Sequence, residues 1–119
     1  MAISQREVYL LPHPFDSNVA DHPFIVLSTQ EANEYENTFI AVMITSSTVY
    51  KDDYSFELLD EMFDSPLREK NSHVRMHLLT LCLNEEISSR RVNKMKELYF
   101  KELMASIGDL IFNYNFKPL

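Results

Sequence analysis

Glycine, cysteine and long apolar runs are scarce in this 119-residue chain, and each scarcity excludes a class of protein. Gly108 is the single glycine, so the chain lacks the glycine-rich loop that cradles phosphates in nucleotide-binding proteins. Cys82 is the single cysteine, which excludes an intramolecular disulfide framework and favours a reducing compartment. No apolar run approaches the roughly 18 residues of a membrane-spanning helix, and we see no signal-peptide core. We therefore expect a cytoplasmic protein without a membrane segment.

Basic residues are also few, and they are unevenly placed. Eleven Lys and Arg stand against eighteen Asp and Glu, for a net charge of −7, which argues against the broad basic surface of a strong nucleic-acid binder. No Lys or Arg occurs between Arg6 and Lys51, whereas residues 88–104 hold five of them. Two interpretations of that basic segment stay open: a surface for a partner, or the solvated face of a helix.

The first two thirds of the chain carry strand patterns. A chain of 119 residues is long enough for one domain with a real core and too short for two, so we expect a single domain over residues 1–119. Apolar or alternating patterns predict five strands, over residues 7–11, 23–28, 39–46, 54–58 and 72–78. Between them we expect a proline-bounded loop at 12–18, a polar connection at 29–37 and a loop with one helical turn at 60–70.

The last third changes to a helical period. Apolar residues recur there at three- and four-residue steps, at Val92, Met95, Tyr99, Leu103, Ile107 and Leu110. We expect Ser88 or Ser89 to cap this helix and Gly108 to weaken or end it. Strands followed by one packed helix predict a small α+β domain with a strongly curved antiparallel sheet.

Polar residues at the ends of two predicted strands point to chemistry. His22 and Pro23 open one strand, and the next strand ends in Thr45 and Ser46. Such a pair places an imidazole and two hydroxyls at one rim of a small sheet. The four histidines lack the close spacing and acidic companion of a zinc motif, so we expect neither a metal site nor a cofactor. Cys82 lies in an apolar run, where a buried inert thiol is expected.

A second polar set alternates along the strand at 72–78. Because strand side chains switch faces with period two, His73, Arg75 and His77 share one face of that strand. Two interpretations stay open, a solvated sheet surface and a cationic face for a substrate.

Six stretches of the chain together resemble the PemK/MazF-like toxin family. The stretches are residues 6–9, 11–15, 22–28, 44–46, 72–77 and 87–89. The corresponding family patterns are Gly-Asp-apolar-Tyr, a Pro-bearing loop, Arg-Pro with an apolar strand ending in Ser, Ile-Thr-Ser, Ser-x-Val-Arg-x-Asp, and a helix introduced by Leu-Ser. Order and spacing agree at these six places, and the resemblance covers most of the chain. The family's Arg-Pro, however, reads His22-Pro23 here.

The resemblance implies a small SH3-like or PemK-like antiparallel β-barrel with a packed C-terminal helix. It also implies a homodimer that acts as a sequence-selective endoribonuclease, or mRNA interferase, and is held inactive by a cognate antitoxin. In that family the Arg before Pro and the Thr of Ile-Thr-Ser belong to the catalytic site. By position these residues are His22 and Thr45, with Ser46 as an auxiliary. The family often has a polar residue directly after the Asp of Ser-x-Val-Arg-x-Asp. That position is Leu78 here, so the polar group is absent.

The replacement of arginine by His22 changes what the site can do. Metal-free RNA cleavage uses the 2′-OH as nucleophile, so the protein must remove one proton, supply another and stabilise charge on the phosphate. Imidazole transfers protons near neutral pH, whereas guanidinium holds phosphate in a bidentate fork. We therefore predict His22 as a proton carrier, Arg75 as the cation that binds substrate, and His13 or His77 as the second proton carrier.

Two functions remain open from the sequence. The first, which we place slightly ahead, is a metal-independent endoribonuclease that uses His22 and Thr45 on an RNA substrate. The second is the same fold without catalysis, acting as a protein-binding module. The missing arginine and the acidic balance favour the second.

Overall fold

One antiparallel sheet forms the body of the protein. The computed structural model describes residues 2–114, apart from the side chain of Tyr50. The strands are β1 (Glu7–Leu11), β2 (His22–Val26), β3 (Thr38–Thr45), β4 (Ser55–Glu57), β5 (His73–Leu83) and β6 (Asn93–Lys94). The helices are α1 (Gln30–Glu36) and α2 (Glu97–Ile111). The strand order is β4-β5-β3-β2-β1-β6, and every neighbouring pair is antiparallel.

The sheet curls into a half-barrel and buries apolar side chains on both faces. One face packs on α2 and includes Val8, Ile25, Val42, Val74, Met76, Phe100, Leu103 and Ile107. The other face has its own apolar cluster, which includes Ile3, Tyr9, Leu11, Phe24, Val26, Phe39, Met43 and Cys82. The predicted α+β domain with a curved sheet and a packed C-terminal helix is confirmed. The strand predicted at 39–46 is the central strand β3, and its apolar side chains are buried on both faces of the sheet.

The polar connection predicted at 29–37 was wrong, because this segment contains α1. Thr29 caps the helix, since its Oγ1 accepts the Ala32 N–H at 3.3 Å. Asn37 ends it in the left-handed conformation, with φ of 55°. Asn33 ties the helix to the sheet, because its side chain is buried and hydrogen-bonded to the backbone of two other segments.

The C-terminal helix begins later than its periodicity predicted. Ser88 and Ser89 precede an extended segment in which Val92 donates its N–H to the Val8 carbonyl at 2.9 Å. Residues 93–94 then pair with β1 as β6, and the helix starts only at Glu97. Gly108 lies inside α2 and does not end it. Much of the basic segment at 88–104 therefore precedes the helix instead of lining its solvated face.

The loop between β4 and β5 is the other long connection, and it shapes the site described below. Its single helical turn, Asp60–Met62, confirms the turn predicted at 60–70. Within residues 2–114 no helix is both long enough and apolar enough to cross a membrane.

Candidate active site

A cleft of about 620 Å³ opens at the rim of the sheet where β2 begins and β3 ends. Antiparallel neighbours bring those two ends together, so His22, Thr45 and Ser46 all line this cleft. The pairing of β2 with β3 fixes where His22 and Thr45 lie relative to each other. Phe24 pairs with Met43, and His22 and Thr45 each lie two residues nearer the rim on the same face of the sheet. The structure thus brings together the imidazole and the hydroxyls that the sequence singled out.

A backbone contact fixes the tautomer of His22. Its Nδ1 lies 3.0 Å from the Ala20 carbonyl oxygen. A carbonyl only accepts hydrogen bonds, so this nitrogen carries the proton and donates it. In the neutral ring Nε2 therefore keeps its lone pair, which makes it the basic nitrogen of a half-buried side chain at the cleft.

His13 has the opposite tautomer and contacts His22 directly. The Phe15 N–H donates to His13 Nδ1 at 3.1 Å, so the neutral ring carries its proton on Nε2. The two imidazole rings meet edge to face, with centroids 5.2 Å apart and planes at 77°. His13 does not itself line the 620 Å³ cleft; it borders a neighbouring hollow of about 300 Å³. It adjoins the candidate site because its ring contacts the ring of His22.

The two hydroxyls differ in their exposure. Thr45 is only 6% exposed, and its Oγ1 accepts the Ser47 N–H at 3.2 Å. The hydroxyl proton of Thr45 thereby stays available for donation. Ser46 is exposed at the mouth of the cleft. An irregularity in the β3–β5 pairing between Val42 and Ile44 comes just before these residues, and such bulges re-aim the side chains that follow them.

Arg75 and His77 lie outside the lining of this cleft. Both are on β5, where Arg75 Nη2 donates to His77 Nε2 at 3.3 Å. The His77 ring also packs near Tyr54, with centroids 5.8 Å apart. The third member of the predicted face, His73, is 1% exposed, so a solvated surface does not describe this face along its whole length.

His73 is a site residue that sequence reasoning left without a role. It pairs directly with Thr45 across β3 and β5, and its Nε2 is buried without a hydrogen-bond partner within residues 2–114. Since neighbouring strands are about 4.8 Å apart, His22, Thr45 and His73 form one row across three strands. The alternation at 72–78 placed His73 on a face but gave no sign of what lies opposite it.

Four other polar residues of the cleft also escaped sequence reasoning, namely Asp21, Arg68, Glu69 and Asn93. Arg68 and Glu69 come from the loop between β4 and β5, and Asn93 comes from β6. Asn93 holds the two segments together, because its side chain accepts from Ser65 N–H at 3.1 Å and donates to the Ser65 carbonyl at 3.0 Å. Asp21 directly precedes His22 in the sequence, whereas only proximity in space links the other three residues to His22.

The shifted pKa values belong to groups away from the cleft. Burial, with a smaller effect from Glu86, raises the pKa of Cys82 to about 12, which agrees with the inert thiol that the sequence predicted. Burial and then the nearby Glu7 carboxylate raise the pKa of Tyr9 to about 12. Within the described residues no three His, Cys, Asp or Glu side chains are arranged to hold a metal ion.

The sequence of nearly the whole described chain matches one family. Residues 4–111 match the family described as PemK-like, MazF-like toxin of type II toxin-antitoxin system. The chain belongs to this family, as the six stretches predicted. A comparison with curated proteins finds no significant match.

Solved structures of toxins share the fold. MazF from Deinococcus radiodurans has a TM-score of 0.72 at 13% identity, over 95% of this chain and 99% of that one. MazE-MazF from the same organism gives 0.72 at 13%, over 96% and 100%. An endoribonuclease in complex with its cognate antitoxin, from a Mycobacterial species, gives 0.66 at 12%, over 91% of each chain. At these identities the likeness establishes the fold, and it confirms the predicted PemK-like architecture, in which the sheet curls into a half-barrel.

Proposed function

We propose that this protein is a toxin-type endoribonuclease that cleaves RNA by attack of the 2′-OH without a metal ion. One observation carries the proposal: His22, Thr45 and Ser46 line a single cleft at the rim of the sheet. Membership of the toxin family supports it, and so does the similar fold of a mycobacterial protein that is an endoribonuclease.

His22 is the general base in this proposal. Its Nε2 takes the proton from the 2′-OH, the 2′-oxygen attacks phosphorus, and the bond to the 5′-oxygen breaks. The products are a 2′,3′-cyclic phosphate and a 5′-hydroxyl, so the leaving oxygen must receive one proton. His13, whose ring lies against His22, can supply this proton from Nε2 only as the imidazolium ion, because a neutral imidazole is too weak an acid. Protonation of Nδ1 then replaces the hydrogen bond that this nitrogen accepts from the Phe15 N–H.

The hydroxyls stabilise the charge that develops on the phosphate. Thr45 already accepts one hydrogen bond from the backbone, so its own O–H is oriented to donate. Ser46 offers a second donor at the mouth of the cleft. Donors held in place before the reaction lower the transition-state energy without a reorganisation cost.

Substrate-binding roles for Arg75 and His77 stay predictions. Both side chains follow His73 along β5 at two-residue steps. Because Val74 pairs with Ile44 and Leu79 with Val42, residues 75–78 lie level with β3 residues 42–44, within roughly 10 Å along the sheet of the row that contains Thr45. An RNA strand of several nucleotides leaving the cleft in that direction would meet them.

A cognate antitoxin and a second copy of the chain complete the proposal. The fold neighbours include a MazE-MazF structure and an endoribonuclease with its cognate antitoxin, which supports an antitoxin partner here. The family resemblance supports the proposed homodimer, and the free, buried thiol of Cys82 supports the proposed cytoplasmic location.

The test is cleavage of mixed RNA by the purified protein in EDTA. We expect fragments that end in 2′,3′-cyclic phosphates, and we expect His22→Ala to abolish them. Ser17→Ala, at an exposed position in the loop that leads into β2, is the matched control and should cleave normally. Intact RNA at high protein concentration would end the nuclease proposal.

A protein-binding module without catalysis is the second candidate. The cleft favours it in one respect, because its lining includes the carboxylates of Asp21 and Glu69 against a single guanidinium. Expression in a heterologous bacterium separates the two candidates. A nuclease arrests growth and His22→Ala relieves the arrest, whereas a binding module lets cells grow in both cases.

A further inference from the structure

Arg68 is the single lysine or arginine among the residues that line the 620 Å³ cleft. The other charged groups of the lining are Asp21 and Glu69, so a phosphate that enters meets two carboxylates and one guanidinium. β2 cannot supply a cation, because no Lys or Arg occurs between Arg6 and Lys51. If the cleft holds an RNA phosphate, only Arg68 among the residues that line it offers a permanent positive charge.

The guanidinium of Arg68 is free for a ligand. It has neither an ion pair nor a hydrogen bond within residues 2–114, and the side chain is exposed. Two other arginines near the sheet are engaged elsewhere. Arg6 Nη1 donates to the Met95 carbonyl at 3.3 Å, and Arg91 Nη1 lies 3.4 Å from Glu7 Oε2.

The loop that carries Arg68 is anchored on both sides of it. Just before Arg68, the Leu67 N–H donates to Asp60 Oδ1 at 2.9 Å, and the Leu67 side chain packs on the core beneath α2. Just after it, Ser72 Oγ donates to the Glu69 carbonyl at 2.6 Å. The backbone of Arg68 is therefore fixed at the wall of the cleft, and only its side chain needs to be ordered when a ligand binds.

We propose that Arg68 binds a phosphate of single-stranded RNA in this cleft and supplies the cation that His22 does not. This inference rests on the proposed nuclease function. Guanidinium pairs with phosphate through two parallel hydrogen bonds, which imidazole cannot reproduce. His22 then transfers the proton while a residue from a different segment holds the charge.

Binding of an RNA that cannot be cleaved tests the inference. The probe is a single-stranded RNA oligonucleotide with 2′-O-methyl groups, and its Kd is measured against salt concentration. We expect Arg68→Gln to weaken binding about tenfold or more, because it removes a charge-assisted hydrogen bond to the phosphate. The slope of log K against log salt should fall by about 0.7 for one lost phosphate contact.

Lys70→Gln is the matched control. It removes the same charge from the same loop, but Lys70 is exposed and does not line the cleft. We expect a much smaller loss of affinity and an unchanged slope. Arg68→Lys should keep the slope while it loses part of the affinity, because it retains the charge but not the fork.

Two results overturn the inference, and they are distinguishable. If wild-type protein binds and cleaves RNA but Arg68→Gln behaves like Lys70→Gln, Arg68 is not the phosphate ligand and the nuclease function stands. If wild-type protein neither binds the oligonucleotide nor cleaves RNA, the proposed function and the inference fail together.

Discussion

Thr45 and His73 are directly paired residues at the ends of two neighbouring strands, and both are buried beside the candidate site. Thr45 is engaged by the Ser47 N–H, whereas Nε2 of His73 has no partner within residues 2–114. The hydroxyl proposed for catalysis therefore lies on the central pair of strands, where the surrounding core limits its movement. Its position is set by packing and does not depend on a loop.

Thr45→Val tests the role of this hydroxyl. Valine keeps the shape of the side chain and removes the oxygen, so the Ser47 N–H loses its acceptor at a cost of about 1 kcal/mol in unfolding free energy. RNA cleavage should fall roughly a hundredfold if the hydroxyl stabilises the transition state. Thr45→Ser keeps the oxygen and should retain most of the activity. Unchanged cleavage by Thr45→Val would remove Thr45 from the site.

The strands were predictable from the sequence because their signals are local. Runs such as 7–11 and 39–46 carry their own apolar pattern, and the ends of antiparallel neighbours meet wherever they pair. His22 and Thr45 could be expected at one rim for that reason. Their shared position in the registry was visible only in the structure.

The missed elements depend on partners far away in the chain. α1 is short and polar. The burial of its Asn33 is explained by hydrogen bonds to the carbonyls of Ile3 and Ser28, which a local pattern does not reveal. β6 has two residues and is defined by its pairing with β1. Arg68 lines the cleft because the long loop between β4 and β5 folds back over the end of β3. No local pattern of charge or period in the sequence reveals that position.

Asn33 is predicted to hold α1 to the sheet. Its Nδ2 donates to the Ile3 carbonyl at 2.8 Å and to the Ser28 carbonyl at 3.1 Å, and the side chain is 2% exposed. Asn33→Ala leaves these buried carbonyls with one hydrogen bond fewer, so urea unfolding should show a loss of about 2–3 kcal/mol. Glu36→Ala, at an exposed position of the same helix, is the control and should change stability by less than about 0.5 kcal/mol. Equal effects of the two substitutions would contradict this role.

Gly108→Ala is predicted to stabilise the protein. The position is exposed in the interior of α2, and a Cβ added there meets nothing within 4 Å. Alanine restricts the unfolded chain without a steric cost, so the unfolding free energy should rise by about 0.5–1 kcal/mol. Ala105→Gly, one turn earlier on an exposed position, should lower it by a similar amount. A thermal midpoint that falls on Gly108→Ala would show that the helix end is not regular in solution.

Cys82 should make the native state sensitive to alkaline pH. Burial raises the pKa of its thiol from 9.0 to about 12. Between these values the unfolded chain has lost the proton that the native state keeps, so stability is complete below pH 9 and falls as the pH rises toward 12. Cys82→Ala should show a shallower fall over this range, with the residual slope due in part to Tyr9. A disulfide reagent should also leave native Cys82 unmodified at pH 8, and rapid modification without unfolding would contradict its burial.

Leu81 is predicted to lie in the interface of the proposed homodimer. It is 69% exposed and pairs directly with Ile40, which is 44% exposed, while Leu83 is 41% exposed two residues further along the same face. A contiguous apolar patch of this kind on a sheet favours association. Leu81→Glu places a charge in the patch, so light scattering should show the mass of a monomer where the wild type shows a dimer. Leu98→Glu, at a 65% exposed position on α2, is the control and should leave the dimer intact. If Leu98→Glu dissociates the dimer and Leu81→Glu does not, the two copies meet through the helix, and the patch on β3 and β5 is left for a different partner.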